Sequence, residues 1–279
     1  MSDRIAARAG TGAAPAGGPG GRDSWHDGAM NALMSLRPLL AAALLAAAAT
    51  AGAQPTAAPL TAQQIATIVA SPERSEADRV NDRRRKPEQM LAFIGIRPGI
   101  VALDVVAGGG YTSELLGRST GPSGRVYAQG SSPPRPALAA RIAAPQPGNL
   151  VAVVQPFDDP VPPDVAAGGL DLVTLMFNYH DLAGAGVDRE RMNRAIFAAL
   201  RPGGFYVVAD HAAQPGSDAS TGKTLHRIDE KLVRDEIERA GFKLAAQGDF
   251  LRNPADPRDR ETPDPPMPKD EFVLKFVKP

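Results

Sequence analysis

The amino-acid sequence predicts a doubly wound α/β domain. From residue 100 onward, short apolar runs alternate with stretches whose apolar residues recur at helical spacing. The runs are nearly continuous, which is typical of parallel strands covered by helices on both faces. A run of three glycines, Gly108 to Gly110, follows the first strand directly. Ligands of such sheets bind beside the carboxyl ends of the strands, so the loops after the strands are the expected walls of a site.

Seven strands and five helices account for this pattern, and one of the helices follows the three glycines and contains Leu115 and Leu116. The helix at residues 189–200 ends before Pro202, because proline cannot continue a helix. The helix at residues 230–240 begins after Asp229, which is a favourable N-cap residue. The predicted strands are residues 100–106, 125–128, 150–154, 170–177, 205–209, 242–246 and 272–276, and the other helices are residues 61–69 and 87–94.

The composition excludes several classes of function. The 279 residues carry 31 basic and 31 acidic side chains, so the net charge gives no reason to expect nucleic acid or an anionic membrane as a partner. Aromatic residues make up only 5% of the chain, which disfavours a platform for stacking single-stranded bases. The absence of cysteine excludes disulfides, thiolate metal ligands and a cysteine nucleophile.

Residues 1–53 are interpreted as an upstream extension and a cleaved signal peptide, the latter at residues 34–53. Arg37 precedes a run of only Leu and Ala at residues 39–49, and Ala51-Gly52-Ala53 follows. A positive charge, a short apolar run and an A-x-A end are the three parts of a signal peptide. The run is shorter than the roughly 20 residues that span a bilayer. The alternatives are an uncleaved anchor and a folded helix.

We expect cleavage after Ala53 and a periplasmic or secreted protein that has no membrane anchor. Translation from Met30 or Met34 would place the signal peptide at the N-terminus, where such segments normally lie. Residues 54–86 are then a linker with helices, and residues 87–279 are the main domain. The mature chain is long enough for one substantial hydrophobic core.

The segment around the three glycines resembles motif I of class I S-adenosylmethionine-dependent methyltransferases, D-x-G-x-G-x-G. Asp104 ends the first strand, and the glycines lie between that strand and a helix. Residues 124–129, 171–173 and 200–204 are similar to the second strand, the fourth strand and the turn before the fifth. A narrower resemblance, to a group of exported bacterial methyltransferases inferred from sequence, rests on residues 85–87, 178–181, 210–211, 225–229 and 272–279.

The resemblance implies a Rossmann-like, seven-stranded mixed sheet whose last strand is antiparallel, with S-adenosyl-L-methionine as the cofactor. It implies that the glycines face the methionine part of the cofactor, Gln129 the ribose, and Asp158 or Asp159 the adenine. Asn178 would line the methyl-transfer centre, and an ordinary turn is the alternative interpretation of Asp158. The residues expected to bind the cofactor are Asp104, Gly108, Gly109, Gly110, Gln129, Asp158 and Asn178.

Two positions depart from the family pattern. Val106 stands at the first glycine of motif I, and Gln129 stands where the family usually has an acid for the ribose hydroxyls. An amide oxygen can accept such a hydrogen bond, but it lacks the charge assistance of a carboxylate. These departures leave a second interpretation open, in which the domain binds a ligand without catalysis.

Polar side chains follow the fourth and fifth strands, and the candidate catalytic residues are His180, Asp181, Asp210 and His211. Adjacent parallel strands would bring them to one edge of the sheet, with His226 in a nearby loop. We expect His180 to act as a general base, oriented by Asp181 or Asp210. Imidazole and carboxylate groups also suit a divalent metal ion, but we predict no metal here. Purely structural histidines are the third interpretation.

Two further segments bear on the ligand. A basic cluster at residues 79–86 is either a solvated helix face or an anchor for a carboxylate or phosphate. The proline-rich residues 253–270 would lie on the ligand face if the last strand is antiparallel. The sequence therefore predicts an exported methyltransferase that acts on a small-molecule acceptor, or alternatively an exported, non-catalytic binding protein with the same fold.

Overall fold

A computed structural model describes residues 57–263 and 265–279 of the chain. They form a seven-stranded sheet in the order β3-β2-β1-β4-β5-β7-β6. Strands β1 to β5 pair in parallel, and β7 lies antiparallel between β5 and β6. The strands are β1 Val101–Val105, β2 Arg125–Gly130, β3 Leu150–Val154, β4 Leu170–Met176, β5 Leu200–His211, β6 Lys243–Gly248 and β7 Glu271–Val277. The predicted fold class, including the antiparallel last strand, is confirmed.

Local sequence signals explain where several helices begin and end. Thr61 and Gln64 form a capping box at the first helix, and Pro87 occupies the first turn of the third. Gly95 ends that third helix in the left-handed conformation. The helices are α1 Ala62–Val69, α2 Glu76–Arg85, α3 Pro87–Ile94, α4 Tyr111–Thr120, α5 Pro136–Ala143, α6 Tyr179–Gly184, α7 Arg189–Ala199, α8 Thr221–Thr224 and α9 Glu230–Arg239.

The sheet has an apolar layer on each face. One layer includes Met192 and Ile196 of α7 with Val233 and Ile237 of α9. The other packs α1, α3 and α4 against the opposite face, and Ile65 and Val69 of α1 belong to it. Because both faces are covered, the strands read as continuous apolar runs rather than alternating ones. Within the described residues, no helix is both long and apolar enough to cross a membrane.

The structure differs from the sequence prediction at two places, one beside the site and one at the opposite edge of the sheet. The polar residues after β4, expected in a loop, begin the short helix α6 at Tyr179. Strand β5 begins at Leu200, where it pairs with Leu170, and regular pairing resumes at Phe205 after an irregularity. The predicted signal peptide and its cleavage site lie outside the described residues and stay a prediction.

Candidate functional site

The strand order reverses between β1 and β4, so the carboxyl ends of these two strands flank the expected ligand position. The loop that leaves β1 has three left-handed residues: Val106 (φ +56°), Gly108 (φ +57°) and Gly110 (φ +83°). A β-branched residue in this conformation is a genuine outlier and costs roughly 1–2 kcal/mol. Val106 therefore keeps the backbone conformation of the glycine that it replaces in the motif. Strain of this kind is concentrated at functional sites.

The glycines of this loop have different structural roles. A Cβ atom at Gly110 would lie 2.8 Å from Leu138 Cδ1 and 2.9 Å from Arg141 Cδ, so this glycine lets α5 pack closely. A Cβ atom at Gly108 would come no closer than 3.9 Å to another residue, and its nearest neighbour is the carbonyl of Val106. Gly108 is therefore the position at which the backbone is open to a ligand.

Two cavities meet at Gly108. The cavity that we call the β2 cavity has about 340 Å³ and lies at the ends of β2 and β3, with Ser131 and Phe157 in its wall. The second, which we call the β1 cavity, has about 190 Å³ and extends toward Arg85 and Tyr111. Val106, Gly108 and Asn178 line both cavities. Together they form a bent space around the loop after β1.

Gln129 lies in the wall of the β2 cavity, but its amide is bonded at both ends within the protein. Its Oε1 accepts a hydrogen bond from Val106 N at 3.0 Å, and its Nε2 donates to Gln155 O at 2.7 Å. The side chain is fully buried. Gln129 thus ties the loop after β1 to the end of β3, and a contact to the ribose stays a prediction.

Asp104 lies at the base of the β1 cavity and is fully buried. Its carboxylate accepts hydrogen bonds from Ser113 Oγ at 2.6 Å and from Thr174 Oγ1 at 2.8 Å. Burial raises the pKa of Asp104 to about 6, although both hydroxyl groups favour the ionised form. Asp104 therefore joins β1, α4 and β4 below the ligand space.

The other predicted cofactor residues lie at different distances from this space. Asn178 lines both cavities, and its Nδ2 donates to Met176 O at 2.8 Å. Asp158 forms an ion pair with Arg191 at 3.0 Å and is not part of either cavity wall. Its neighbour on the cavity side is Phe157, an aromatic residue that the sequence analysis did not single out.

His180 and Asp210 form a buried pair beside the end of β5. His180 Nδ1 lies 2.6 Å from Asp210 Oδ1, and the backbone N of His180 donates to Asp210 Oδ2 at 2.8 Å. The backbone N of His211 donates to Asp210 Oδ1 at 2.8 Å. Because an ionised carboxylate can only accept, Asp210 favours the tautomer of His180 that carries its proton on Nδ1, and the other nitrogen, Nε2, faces Asp181 at 3.2 Å.

The pKa of His180 follows from this pairing. Burial lowers the pKa, but the hydrogen bond and negative charge of Asp210 outweigh that effect and hold it above the usual value. The structure therefore brings together two of the predicted catalytic residues as an imidazole and the acid that orients it. This geometry is that of a general base whose second nitrogen is fixed by a carboxylate.

Asp181 and His226 lie on the outer side of His180. Asp181 Oδ1 is 3.2 Å from His180 Nε2 and 3.1 Å from His226 Nδ1. These three side chains offer ligand atoms within 4.8 Å of one another, and within the described residues they are the one group with metal-ligand spacing. His226 has a φ of +47°, a strained value for this residue type.

His211 points away from this group and toward β7. Its Nδ1 lies 3.0 Å from Glu271 Oε1 without hydrogen-bond geometry, and its ring centroid is 5.4 Å from that of His180. Of the other predicted catalytic residues, Asp181 therefore lies at Nε2 of His180, whereas Asp210 lies at Nδ1 with His211 next to it. Metal binding by all four would require the carboxylate of Asp210, which is already bonded to His180 and His211.

Sequence reasoning missed the specific roles of two arginines. Arg85 lies between the rings of Tyr111 and Phe177, 5.0 and 4.7 Å from their centroids, and lines the β1 cavity. Its buried Nε has no hydrogen-bond partner, and burial together with the charge of Arg84 lowers its pKa. The Arg-Lys-Pro segment marked this position, but only the fold shows that its guanidinium lines the cavity and keeps one buried donor unpaired.

Arg227 is the second, and it is fully buried. Its guanidinium donates two hydrogen bonds to Asp256, at 2.8 and 3.2 Å, and further bonds to Ala212 O and Arg260 O. Asp256 in turn accepts a hydrogen bond from Asp270 N at 2.7 Å. Arg227 thus fastens both ends of the proline-rich segment to the end of β5.

No protein-family model and no curated protein sequence matches the chain. Several solved structures match the chain in fold. A SAM-dependent methyltransferase from Aquifex aeolicus is 15% identical and matches 79% of this chain and 100% of its own, with a TM-score of 0.55. A Galdieria sulphuraria protein described as a sarcosine dimethylglycine methyltransferase is 13% identical and matches 73% of this chain and 98% of its own, with a TM-score of 0.52.

A third match is a chain in the complex between the Haloferax volcanii Trm112 methyltransferase activator and a protein described as a methyltransferase. It is 20% identical and matches 79% of this chain and 99% of its own, with a TM-score of 0.52. At these identities the likeness establishes the fold. The chain has the fold of the class I S-adenosylmethionine-dependent methyltransferases.

Proposed function

We propose that the chain is an exported S-adenosylmethionine-dependent methyltransferase that acts on a small-molecule acceptor. The observation that carries this proposal is the pair of cavities that meet at Gly108, with the guanidinium of Arg85 in the wall of one of them. Asn178 lines both cavities, and His180, which pairs with Asp210, follows it by two residues. The methyltransferase fold supports the proposal. Export rests on the predicted signal peptide, whose residues lie outside the described part of the chain.

The shape and charge of the two cavities fit the two halves of the cofactor. The β2 cavity would hold the adenosine half, with Phe157 available to the base and Ser131 to polar groups. The β1 cavity would hold the amino-acid half, and the guanidinium of Arg85 in its wall would pair with the carboxylate of that half. A buried guanidinium without an anionic partner is costly, so an anion bound beside it would stabilise both. Gly108 would lie at the bend.

The bound cofactor would supply an electrophilic methyl group on its sulfonium. The tasks left to the chain are to hold the acceptor in line and to take its proton. His180 Nε2 is the proton acceptor that the geometry offers, since Nδ1 is committed to Asp210. Because the pKa of His180 is raised, the neutral form that can accept a proton predominates only above that pKa. Turnover should therefore increase with pH through this ionisation.

The proposal is tested by calorimetric titration of the chain with S-adenosylmethionine and S-adenosylhomocysteine. Gly108→Asn should abolish binding, because asparagine tolerates the left-handed backbone while its side chain enters the bend. Gly186→Asn is the matched control, since Gly186 has a similar φ of +71° with nothing within 4 Å of an added Cβ. Binding unaffected by Gly108→Asn, or absent from the unaltered chain, would contradict the proposal.

One observation favours the second candidate, an exported binding protein without catalytic activity. The amide of Gln129 is bonded to Val106 and Gln155, so the end of β2 offers no free carboxylate to the ribose hydroxyls. Titration separates the two candidates. Binding of S-adenosylmethionine with transfer of its methyl group supports the enzyme, whereas no binding of either nucleoside by the folded chain supports the binding protein.

A further inference from the structure

A third cavity, distinct from the cofactor space, lies between the end of α2 and the segment that joins β6 to β7. It has about 630 Å³. Five cationic side chains line it against one acidic side chain, and these are Arg83, Arg84, Lys86, Arg252, Lys269 and Glu271. The whole chain has no net charge, so this local excess of positive charge is a property of the cavity. We call it the basic cavity.

Several of these cations already have partners. Arg84 Nη1 forms an ion pair with Glu271 Oε1 at 2.6 Å, and Arg252 pairs with Glu230 and with Asp270. Lys86 donates to Phe250 O.

The two remaining cations, Arg83 and Lys269, make no hydrogen bond or ion pair with any described residue. Partial burial and the charge of Arg227 lower the pKa of Lys269, and they outweigh the opposite effect of the nearby carboxylates of Glu261 and Glu271. Cations in a concave, partly desolvated place attract an anion more strongly than cations on an open surface.

The segment between β6 and β7, which carries Lys269, is held in place by several hydrogen bonds and ion pairs. Arg227 binds Asp256 with two hydrogen bonds, and Asp270 Oδ1 accepts from Asn253 N at 2.7 Å. Asp270 also forms an ion pair with Arg258 at 2.8 Å. The basic cavity is thus largely formed before any ligand arrives, which reduces the entropic cost of binding.

The basic cavity lies close to the candidate base, with Glu271 and His211 between them. Arg84 contacts Glu271, and Glu271 Oε1 lies 3.0 Å from His211 Nδ1. The backbone N of His211 donates to Asp210, which holds His180. The basic cavity is therefore separated from the candidate base by Glu271 in its wall and by the ring of His211, whose centroid is 5.4 Å from that of His180.

We propose that the basic cavity binds the anionic group, a carboxylate or a phosphate, of the methyl acceptor. This inference rests on the proposed function and narrows it to acceptors that carry a negative charge. Lys269 and Arg83 supply the free cations, and Arg84 is held in place by Glu271 and stacked at 4.8 Å on the ring of Phe177. Both anion types are acceptors of the same charge-assisted hydrogen bonds.

The test is calorimetric titration of the full chain at low ionic strength with inorganic phosphate and, separately, with succinate. We expect saturable binding of at least one probe, and which probe binds more tightly distinguishes phosphate from carboxylate recognition. Lys269→Gln and Arg83→Gln should each weaken it by about tenfold, as expected for the loss of one hydrogen bond to a charged group. Lys243→Gln, which removes an exposed lysine on β6, should leave it unchanged.

Several results would overturn the inference. One is the absence of saturable binding of both probes, and another is binding that neither Lys269→Gln nor Arg83→Gln weakens. Arg83 is exposed, so its variant should fold even if the Lys269 variant does not. A third is an affinity for S-adenosylhomocysteine that falls tenfold in saturating phosphate, which would place the cations in the cofactor site.

The test of the proposed function and the test of this inference can fail independently of each other. The probe titrations contain no cofactor, so their failure leaves the S-adenosylmethionine titration to be judged by itself. Probe binding that the two variants weaken, in a chain that binds no S-adenosylmethionine, would overturn the role of this cavity in methyl transfer while leaving an anion site.

Discussion

Replacement of Asp104 by asparagine should stabilise the protein at neutral pH. Asp104 is a fully buried carboxyl whose hydrogen-bond partners are the hydroxyl groups of Ser113 and Thr174. A hydroxyl can donate or accept, so one of them can turn to accept from the new amide while the other still donates to its oxygen. The substitution keeps the shape and removes the need to ionise a buried group.

The magnitude follows from the pKa. Burial raises the pKa of Asp104 from 3.8 to about 6, which corresponds to about 3 kcal/mol. A carboxyl whose pKa is higher in the folded chain than in the unfolded chain destabilises the fold once the pH exceeds the unfolded value. This penalty grows until the pH passes about 6 and is then constant. Asp104→Asn should therefore gain up to about 3 kcal/mol at pH 7.5, less at pH 5, and nothing below the unfolded pKa.

Urea unfolding at pH 7.5 and pH 5, followed by circular dichroism, measures this gain directly. Asp188→Asn is the control, because Asp188 is an exposed N-cap of α7 and asparagine caps a helix equally well. A gain at pH 7.5 that is no larger than the gain at pH 5, or a loss at both, would show that Asp104 is not a strained carboxylate.

The remaining predictions concern the pKa of His180, the stability that Arg227 provides, the effect of a chelator on turnover, and cleavage of the signal peptide. Asp210→Asn should lower the pKa of His180, measured from the pH titration of its ring protons by NMR, and an unchanged titration would refute the pairing. Arg227→Met leaves Asp256 buried without its cation and should reduce the free energy of unfolding by about 3–5 kcal/mol, which thermal denaturation would detect. If His180 acts as a base, turnover should survive a chelator, whereas loss of turnover and its recovery with a divalent ion would assign the group to metal chemistry. Mature protein should begin at Gln54 and show no tryptophan emission, because Trp25 is the only tryptophan; N-terminal sequencing tests this.

The fold could be predicted because its signals are local. The strand at residues 150–154 and the helix at residues 87–94 match the structure at both ends, because the strand is one uninterrupted apolar run and the helix begins at Pro87 and ends before Gly95. The start of β5 at Leu200 was predicted five residues late. Leu200 pairs with Leu170 across an irregularity, and no local pattern shows such a partner.

The site could be predicted only in part, because its chemistry depends on contacts between distant residues. The sequence indicated that His180 and Asp210 would meet, since both follow adjacent parallel strands. It did not indicate that Asp181 faces His226, because α6 was not predicted and its turn directs these side chains. The unpaired Nε of Arg85 and the buried hydrogen bonds of Arg227 result from packing against segments that are distant in the sequence. No local pattern indicates such packing.

The two hydrogen bonds of the Gln129 amide determine which residues this position can accept. Glutamate at position 129 could still accept from Val106 N, but it could not donate to Gln155 O and would set a negative charge against that carbonyl. Replacing Gln129 by the acid that is usual in the family would therefore be unfavourable because of the carbonyl of Gln155, whether or not a ligand is bound.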